Sequence, residues 1–324
     1  MKPNMRILHI SDLHLKEPKG IEVDNILQRF YDIIAANAKE KPFSQIIITG
    51  DIRNSNSETS IEGVINIIDN IAASAKLLDK QNIHLIPGNH DLNRENNKEI
   101  EEIREKYDYD NGTFSNANSD LKIMLNRFND FFWNLCEQYY KETNPWHDRN
   151  RNPHYLWIYD AYAFIFINSS LCCISRNQDG NLIIGTEYVK QLIDSAIEQN
   201  SKSVIFFAHH PIQNLANSEE TVFSTLLRTY SGITFYWICG DAHENRQSQR
   251  EYICLYQVGS LTISKGFIPD FAIYDINKTV VDRKVFRFLS HLNSPTRLGK
   301  PTGGWKRVYI DPKATSLYYD ETLE

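Results

Sequence analysis

A layered α/β domain with much parallel strand pairing follows from three features of this 324-residue chain. Six short runs are nearly continuous in Val, Ile, Leu or Phe, as in strands buried on both faces. Segments with helical spacing separate them. The composition, 41% hydrophobic and 23% charged, is that of an ordinary globular protein.

The first run is MRILHIS (5–11), followed by a helical pattern near 24–39. QIIITG (45–50) leads into the clearest helix, 60–79. There Ile61, Val64, Ile65, Ile68, Ile71, Ala72 and Ala75 recur at helical spacing, and Ser60 supplies an N-cap. IHLIPG (83–88) is the third run. Residues 93–155 then read as an inserted helical cap. The insertion opens with charged residues, passes through NGTFSNANSD (111–120) and becomes an aromatic-rich helix over 121–140. The spacing of Leu121, Met124, Leu125, Phe128, Phe131, Phe132 and Leu135 predicts a buried face packed on the main domain. The sharper alternative is a cap that stacks bases. YAFIFINSS (162–170), SVIFFAHH (203–210) and ITFYWICG (233–240) follow, with helical patterns near 185–199 and 219–229. Strand-like runs EYICLYQVGS, PDFAIYDIN and TVVDRKVFRFL come next. From Arg283 to Arg307 there are seven Lys or Arg and no Asp or Glu. The expected organisation is a main domain over 1–282 containing the 93–155 insertion, and a basic C-terminal extension over 283–324.

The net charge of -6 excludes a protein that coats nucleic acid or membranes by bulk charge. The five cysteines are odd in number and lack C-x-x-C spacing, so buried, reduced thiols are expected. No apolar stretch approaches the ~18–20 residues of a membrane span, and the start of the chain leaves no room for a leader. A cytoplasmic protein with no membrane association is the expectation.

The chemistry collects where strands end. The first run closes on Asp12 and His14, the second on Asp51, and the third on Asn89, His90 and Asp91. The fifth closes on His209 and His210, and the sixth on Asp241 and His243. In parallel sheets such ends share the carboxyl edge, where α/β folds place their sites. Carboxylate and amide oxygens with imidazole nitrogens suit a first-row transition metal rather than a thiolate zinc site. The candidates outnumber the ligands of one ion, which suggests two. Gly50, Gly88 and Gly240 would let the backbone turn as it leaves each strand.

The ordered set D-x-H (12–14), G-D (50–51), G-N-H-D (88–91), H-H-P (209–211) and G-x-x-H (240–243) resembles the calcineurin-like metallophosphoesterase superfamily. The resemblance implies a four-layer sandwich of two mixed β-sheets flanked by helices. It also implies two divalent metal ions, with Mn favoured and Fe, Zn or Mg admitted. Asp12, His14 and His243 would bind the first ion and Asp51 would bridge both. Asn89 and His209 would bind the second, with His210 as the alternative to His209. Asp241 occupies a position where the family usually has His. His90 would be catalytic, stabilising the transition state and protonating the leaving oxygen, while a metal-bound hydroxide attacks. Asn54 stands where many relatives carry a second acid, and Asp91 is a candidate substitute for orienting His90.

His9 and His84 are expected to be packed strand residues, and His147 and His154 solvated loop residues. Arg53 and Arg94 read as surface arginines, with a phosphate clamp as the alternative. The compact GNHD and HHP form is similar to cyclic-nucleotide phosphodiesterase-like and DNA-repair-exonuclease-like members. It therefore points to a phosphodiester substrate in a nucleotide or nucleic acid. A phosphomonoesterase and a catalytically weak protein-binding scaffold are the alternatives. A protein partner or oligomer is compatible with either.

Overall fold

The computed structural model describes residues 5–16, 21–54, 59–94, 97–174, 180–250, 252–262, 268–277, 280–289, 304–310 and 317–319. The first half runs β1 (Met5–Ile10), α1 (Ile21–Glu40), β2 (Gln45–Thr49), α2 (Ile61–Ala75), β3 (Ile83–Ile86), α3 (Asn97–Glu105), α4 (Ala117–Asn126) and α5 (Asn134–Tyr140). The second half runs β4 (Tyr155–Tyr159), β5 (Tyr162–Ile167), α6 (Thr186–Glu198), β6 (Ser203–Ala208), α7 (Asn217–Thr229), β7 (Thr234–Cys239), β8 (Arg246–Arg250) and β9 (Ile253–Gln257). It finishes with β10 (Asp270–Asn277), β11 (Val280–Leu289), β12 (Gly304–Ile310) and β13 (Leu317–Tyr319).

Among the described residues these strands form two mixed sheets. One has the order β13-β12-β11-β10-β1-β2-β3 and the other β4-β5-β6-β7-β9-β8. The parallel segments are β1-β2-β3 and β5-β6-β7-β9. β10 joins β1 antiparallel, with Leu8 opposite Ile273. All six apolar runs expected from the sequence are strands, and every residue of β1, β2, β3, β5 and β6 is buried.

The sheets pack face to face through rings. His84 on β3 stacks on Phe166 of β5 at 4.3 Å between centroids, and Tyr274 on β10 lies 5.9 Å from Tyr256 on β9. The outer faces are covered by helices. Phe30 of α1 meets Phe271 at 4.9 Å on one side, and Phe223 of α7 meets Phe206 at 5.5 Å on the other. Alternation along each strand sends Phe271 out and Tyr274 in, which is how one strand serves two layers. The result is the helix–sheet–sheet–helix sandwich that the resemblance implied. On α2, Ser60 caps the helix by accepting the Gly63 N–H at 3.0 Å, as its sequence suggested.

The aromatic stretch 121–140 is not one helix. A π-helical turn at Asn129–Trp133 separates α4 from α5. Phe131, Phe132 and Trp133 are all buried there. Three consecutive rings cannot share one face of a regular helix, and the wider turn accommodates them. This burial favours the packed face over the base-stacking cap. The insertion also covers the edge of β3. The Tyr140 hydroxyl donates to Ile83 O at 2.7 Å and accepts Leu85 N–H at 3.0 Å, while Trp146 Nε1 donates to Leu85 O at 3.0 Å. Side chains thus satisfy backbone groups that an open edge would leave to water or to another chain.

β11 crosses the expected boundary at 282/283 and pairs with β10 along its length. The first cations of the basic stretch are engaged within the fold. Arg283 Nη1 donates to Arg246 O at 3.0 Å, Lys284 Nζ to Asp275 Oδ2 at 3.1 Å, and Arg287 Nε lies 3.8 Å from Asp270 Oδ2. Residues 290–303 of that stretch lie outside the described residues. Cys136, Cys172, Cys173 and Cys239 are buried, Cys254 is half-buried, and all five are free thiols. No helix among the described residues is long and apolar enough to cross a membrane.

Candidate metal centre

The site forms where the carboxyl ends of β1, β2 and β3 in one sheet meet those of β6 and β7 in the other. The single parallel edge expected from the sequence is thus two edges facing each other. Asp12 and Asp51 belong to the first, and His209, Asp241 and His243 to the second.

The backbone is bent to aim these side chains. Among the described residues nine non-glycine residues have positive φ, and five of them are Asp12, His14, Asp51, Asp241 and His243. Left-handed backbone at non-glycine residues costs free energy and gathers at functional sites. Gly50 does turn with φ of +79°. Gly88 and Gly240 serve close approach instead. A Cβ on Gly88 would lie 2.2 Å from Asp51 Oδ1, and one on Gly240 would lie 1.8 Å from Ser11 Oγ.

Two groups of donor atoms converge. In the first, His243 Nε2 is 3.1 Å from Asp12 Oδ1 and 2.9 Å from His14 Nε2, and His14 Nε2 is 3.6 Å from Asp12 Oδ1. In the second, His209 Nε2 is 3.0 Å from Asn89 Oδ1 and 3.6 Å from Asp241 Oδ1. Asp51 stands between them, with Oδ1 3.3 Å from His209 Nε2 and Oδ2 3.9 Å from His14 Nε2. The imidazole of His209 is set by its other nitrogen. Nδ1 lies 2.8 Å from Thr49 O, an acceptor only, so the neutral ring keeps its proton on Nδ1, and Nε2 is the nitrogen that would turn a lone pair to a cation in the cluster. The donor set therefore fits divalent metal ions, with nitrogen and oxygen ligands and no thiolate.

The electrostatics agree with that fit. Burial pushes Asp12 upward, but His14 and His243 overcome this and hold it well below the usual carboxylate range. Asp51 is likewise held low against burial, by His209, His90 and His14. Burial lowers His209, yet Asp51, Asp12 and Asp241 raise it well above an ordinary imidazole. Asp241 goes the other way. Burial pushes it up to about 6, His209 opposes this, and Asp12 and Asp51 add to it. Three carboxylates crowd this centre, and a cation would relieve them.

His90 sits on the open side. Its ring is 3.8 Å from Asp51 Oδ2, lies 4.9 Å from the His14 ring and is 18% exposed. Burial lowers it to about 4, with Asp51 opposing and His14, His209 and Arg94 adding to the shift. Asp91 does not orient this ring. Its carboxylate accepts the N–H groups of Gly88 at 2.9 Å, Ile52 at 3.0 Å and Arg53 at 3.1 Å, tying the β2 and β3 turns together. Arg53 and Arg94 are more than surface residues. Arg53 Nε donates to His90 O at 3.2 Å and its guanidinium lies over the Phe131 ring at 4.6 Å. Arg94 Nη2 donates to Asn89 O at 3.1 Å. Both grip the loop that carries Asn89 and His90.

His9 and His84 are packed strand residues as expected. His9 Nε2 is 2.8 Å from Thr49 Oγ1, and His84 Nε2 is 2.8 Å from Gln45 Oε1. His147 is exposed beside Asp148. His154 is not a solvated loop residue. It is buried, with Nε2 2.8 Å from Ile184 O and Nδ1 accepting Asn168 N–H at 3.1 Å. Three polar residues near the centre escaped the sequence reading of the site. Ser11 Oγ lies 2.5 Å from Asp12 Oδ2 and 2.7 Å from Thr49 O, Asn214 Nδ2 donates to Asp241 Oδ2 at 3.2 Å, and Ser169 Oγ lies 2.8 Å from His210 Nδ1.

The chain is similar to several known proteins. A Bacillus subtilis (strain 168) protein named "Uncharacterized metallophosphoesterase-like protein YydB" is 23% identical over 295 residues, covering 84% of this chain. The chain spans 57% of that relative's length. Among solved structures, a dimetal phosphatase from Danio rerio is 12% identical with a TM-score of 0.49, covering 88% of this chain and 96% of that one. GAP50, described as the anchor in the inner membrane complex of Plasmodium, is 12% identical with a TM-score of 0.48, covering 88% and 85%. The model of the calcineurin-like phosphoesterase family matches residues 5–245, a span that contains every donor atom described above. By that match the chain belongs to the calcineurin-like phosphoesterase family.

Proposed function

We propose that this chain hydrolyses a phosphodiester bond of a nucleotide or nucleic acid, using two divalent metal ions. Asp12, His14 and His243 would hold the first, Asn89, His209 and Asp241 the second, and the Asp51 carboxylate would contribute to both. The observation that carries this reading is the Asp51 carboxylate, whose two oxygens face different groups of donor atoms at 3.3 and 3.9 Å. When bound, divalent ions act as Lewis acids on a phosphate and lower the pKa of the water they hold.

The protein's own residues supply the rest. His90 is positioned by its backbone N–H, which donates to Asp51 Oδ1 at 2.8 Å. The imidazole is partly exposed beside the bridging carboxylate, where a phosphate would lie. The negative charge of a bound substrate acts to raise its pKa from the low value set by burial, against the lowering by the two cations. The ring then donates its proton to the leaving oxygen as water attacks phosphorus and the P–O bond breaks, and the proton that the water loses passes to solvent, from which His90 is reprotonated. Arg53 and Arg94 hold the Asn89–His90 loop against the cluster through its carbonyls.

The test compares bis-p-nitrophenyl phosphate with p-nitrophenyl phosphate in the presence of Mn²⁺, then single-stranded DNA, duplex DNA, RNA, cyclic nucleotides and nucleoside monophosphates. Faster turnover of diesters supports the proposal. A preference for monoesters replaces it with a phosphomonoesterase. No turnover with any divalent ion replaces it with the scaffold reading, which the carboxylate at 241 favours.

A further inference from the structure

His209 and His210 are adjacent and fully buried, yet their hydrogen-bond partners select opposite tautomers of the neutral rings. His209 donates from Nδ1 to Thr49 O and turns a lone pair inward. His210 Nδ1 lies 2.8 Å from Ser169 Oγ, and the same oxygen accepts the His210 backbone N–H at 3.1 Å. Among the described residues the Ser169 hydroxyl proton has no other acceptor, so it goes to His210 Nδ1. The ring proton of His210 is therefore on Nε2. That N–H is buried and has no hydrogen-bond partner among the described residues, a costly state for a donor. It faces Asp241 Oδ1 at 4.0 Å, about 1 Å beyond the usual N–H···O separation. The Asp241 side chain is 25% exposed, so it has room to close that distance. Its other oxygen is already held by Asn214 Nδ2 at 3.2 Å.

We propose that His210 is a positioning residue for Asp241, and that its Nε2–H and Asn214 Nδ2 hold the carboxylate as a ligand of the second ion. A carboxylate oxygen has two lone pairs, so Oδ1 takes the imidazole proton on one and presents the other to the ion. Ser169 fixes the tautomer that makes this work. His210 itself is not a ligand, because the nitrogen it turns toward the centre is protonated. A ligating imidazole at position 241 has no acceptor left for the His210 proton, so the donor at 210 and the carboxylate at 241 belong together. Hydrogen bonds that orient a metal's ligands set its affinity, and removing one weakens binding about 10–100-fold.

This inference rests on the two-ion reading of the centre. Calorimetric titration of the metal-free protein with Mn²⁺ tests it, with circular dichroism and a thermal melt to check folding. His210→Leu is expected to weaken the second ion about 10–100-fold and leave the first unchanged. His210→Gln restores an N–H near Nε2 and recovers most of the loss. Ser169→Ala, a smaller change, frees the tautomer and weakens the same ion, so the test survives if His210→Leu does not fold. In an Asp241→His background, His210→Leu has no further effect on the second ion. Normal uptake of two ions by both His210→Leu and Ser169→Ala overturns the role of His210 and leaves the two-ion reading standing. An equal loss in the Asp241→His background also overturns it. A wild type that takes up fewer than two ions overturns both.

Discussion

Asp241 Oδ1 lies 3.6 Å from His209 Nε2, close enough for both to share one ion. A carboxylate at this position adds a negative charge that an imidazole would not. Oxygen ligands favour harder ions such as Mn²⁺ or Mg²⁺, and nitrogen ligands favour Zn²⁺. Asp241→His is therefore expected to shift metal preference from Mn²⁺ toward Zn²⁺. Elemental analysis after equilibration with an equimolar mixture of both ions checks this, and an unchanged ratio would contradict it.

His90→Ala is expected to lower kcat about 10²–10⁴-fold while both ions remain bound. His90 also lies within 4.8 Å of donor atoms of His14 and Asp51, so metal content is measured as the control. The loss should be greater for a substrate with a poor leaving group than for one that releases p-nitrophenolate, because only the former needs the proton early. Equal losses on both substrates would argue against His90 as the acid.

Asp91→Asn replaces an acceptor of three backbone N–H groups with an amide that can present only one oxygen to them. Loss of such buried, charge-assisted bonds costs about 2–3 kcal/mol. Because the clamp joins the turns bearing Asp51 and Asn89, metal affinity should fall along with stability. Urea unfolding with and without Mn²⁺ separates the two effects. A variant as stable as wild type with unaltered metal affinity would mean that the clamp does not set the site.

Burial lowers His9 and His84 to about 3 and His154 to about 4. Their unfolded value is near 6.5, so between about pH 4 and 6.5 the unfolded chain binds protons that the folded chain does not. Stability contributed by the neutral folded forms is present above pH 6.5 and is lost as pH falls through that window. Each group contributes a slope of up to about 1.4 kcal/mol per pH unit. Asp91, Asp241 and Asp270, pushed up to about 6 by burial, act in the opposite sense over the same range, so the readout is the difference between variants. Denaturant unfolding of the metal-free protein should show a dependence of stability on pH that is less positive for His84→Gln than for wild type, by up to about 1.4 kcal/mol per pH unit. A slope unaffected by that change would refute the assignment for His84.

The parts of the fold that were readable share one physical trait. Strands buried on both faces, such as β2 and β6, leave unbroken apolar runs, and the residues of the donor cluster follow those runs directly. β8 reads RQSQR because it is an exposed sheet edge, and no apolar signal marks it. The division into two sheets was carried by the resemblance and not by periodicity, since β10 reaches β1 only by long-range antiparallel pairing. His154 looked like a loop residue because its partners, Ile184 and Asn168, come from distant segments. Asn214 and Ser169 contact Asp241 and His210, 27 and 41 residues away. Side-chain hydrogen bonds of that range leave no local pattern.

The centre itself is tested most directly by counting its ions. Metal-free protein is loaded with Mn²⁺, passed through a desalting column and analysed for manganese per chain, beside Asp51→Asn treated in the same way. The account predicts two ions in the wild type and fewer than one in the variant, because Asp51 faces both groups of donor atoms. Retention of two ions without the Asp51 carboxylate, or no ion in the wild type, would contradict it.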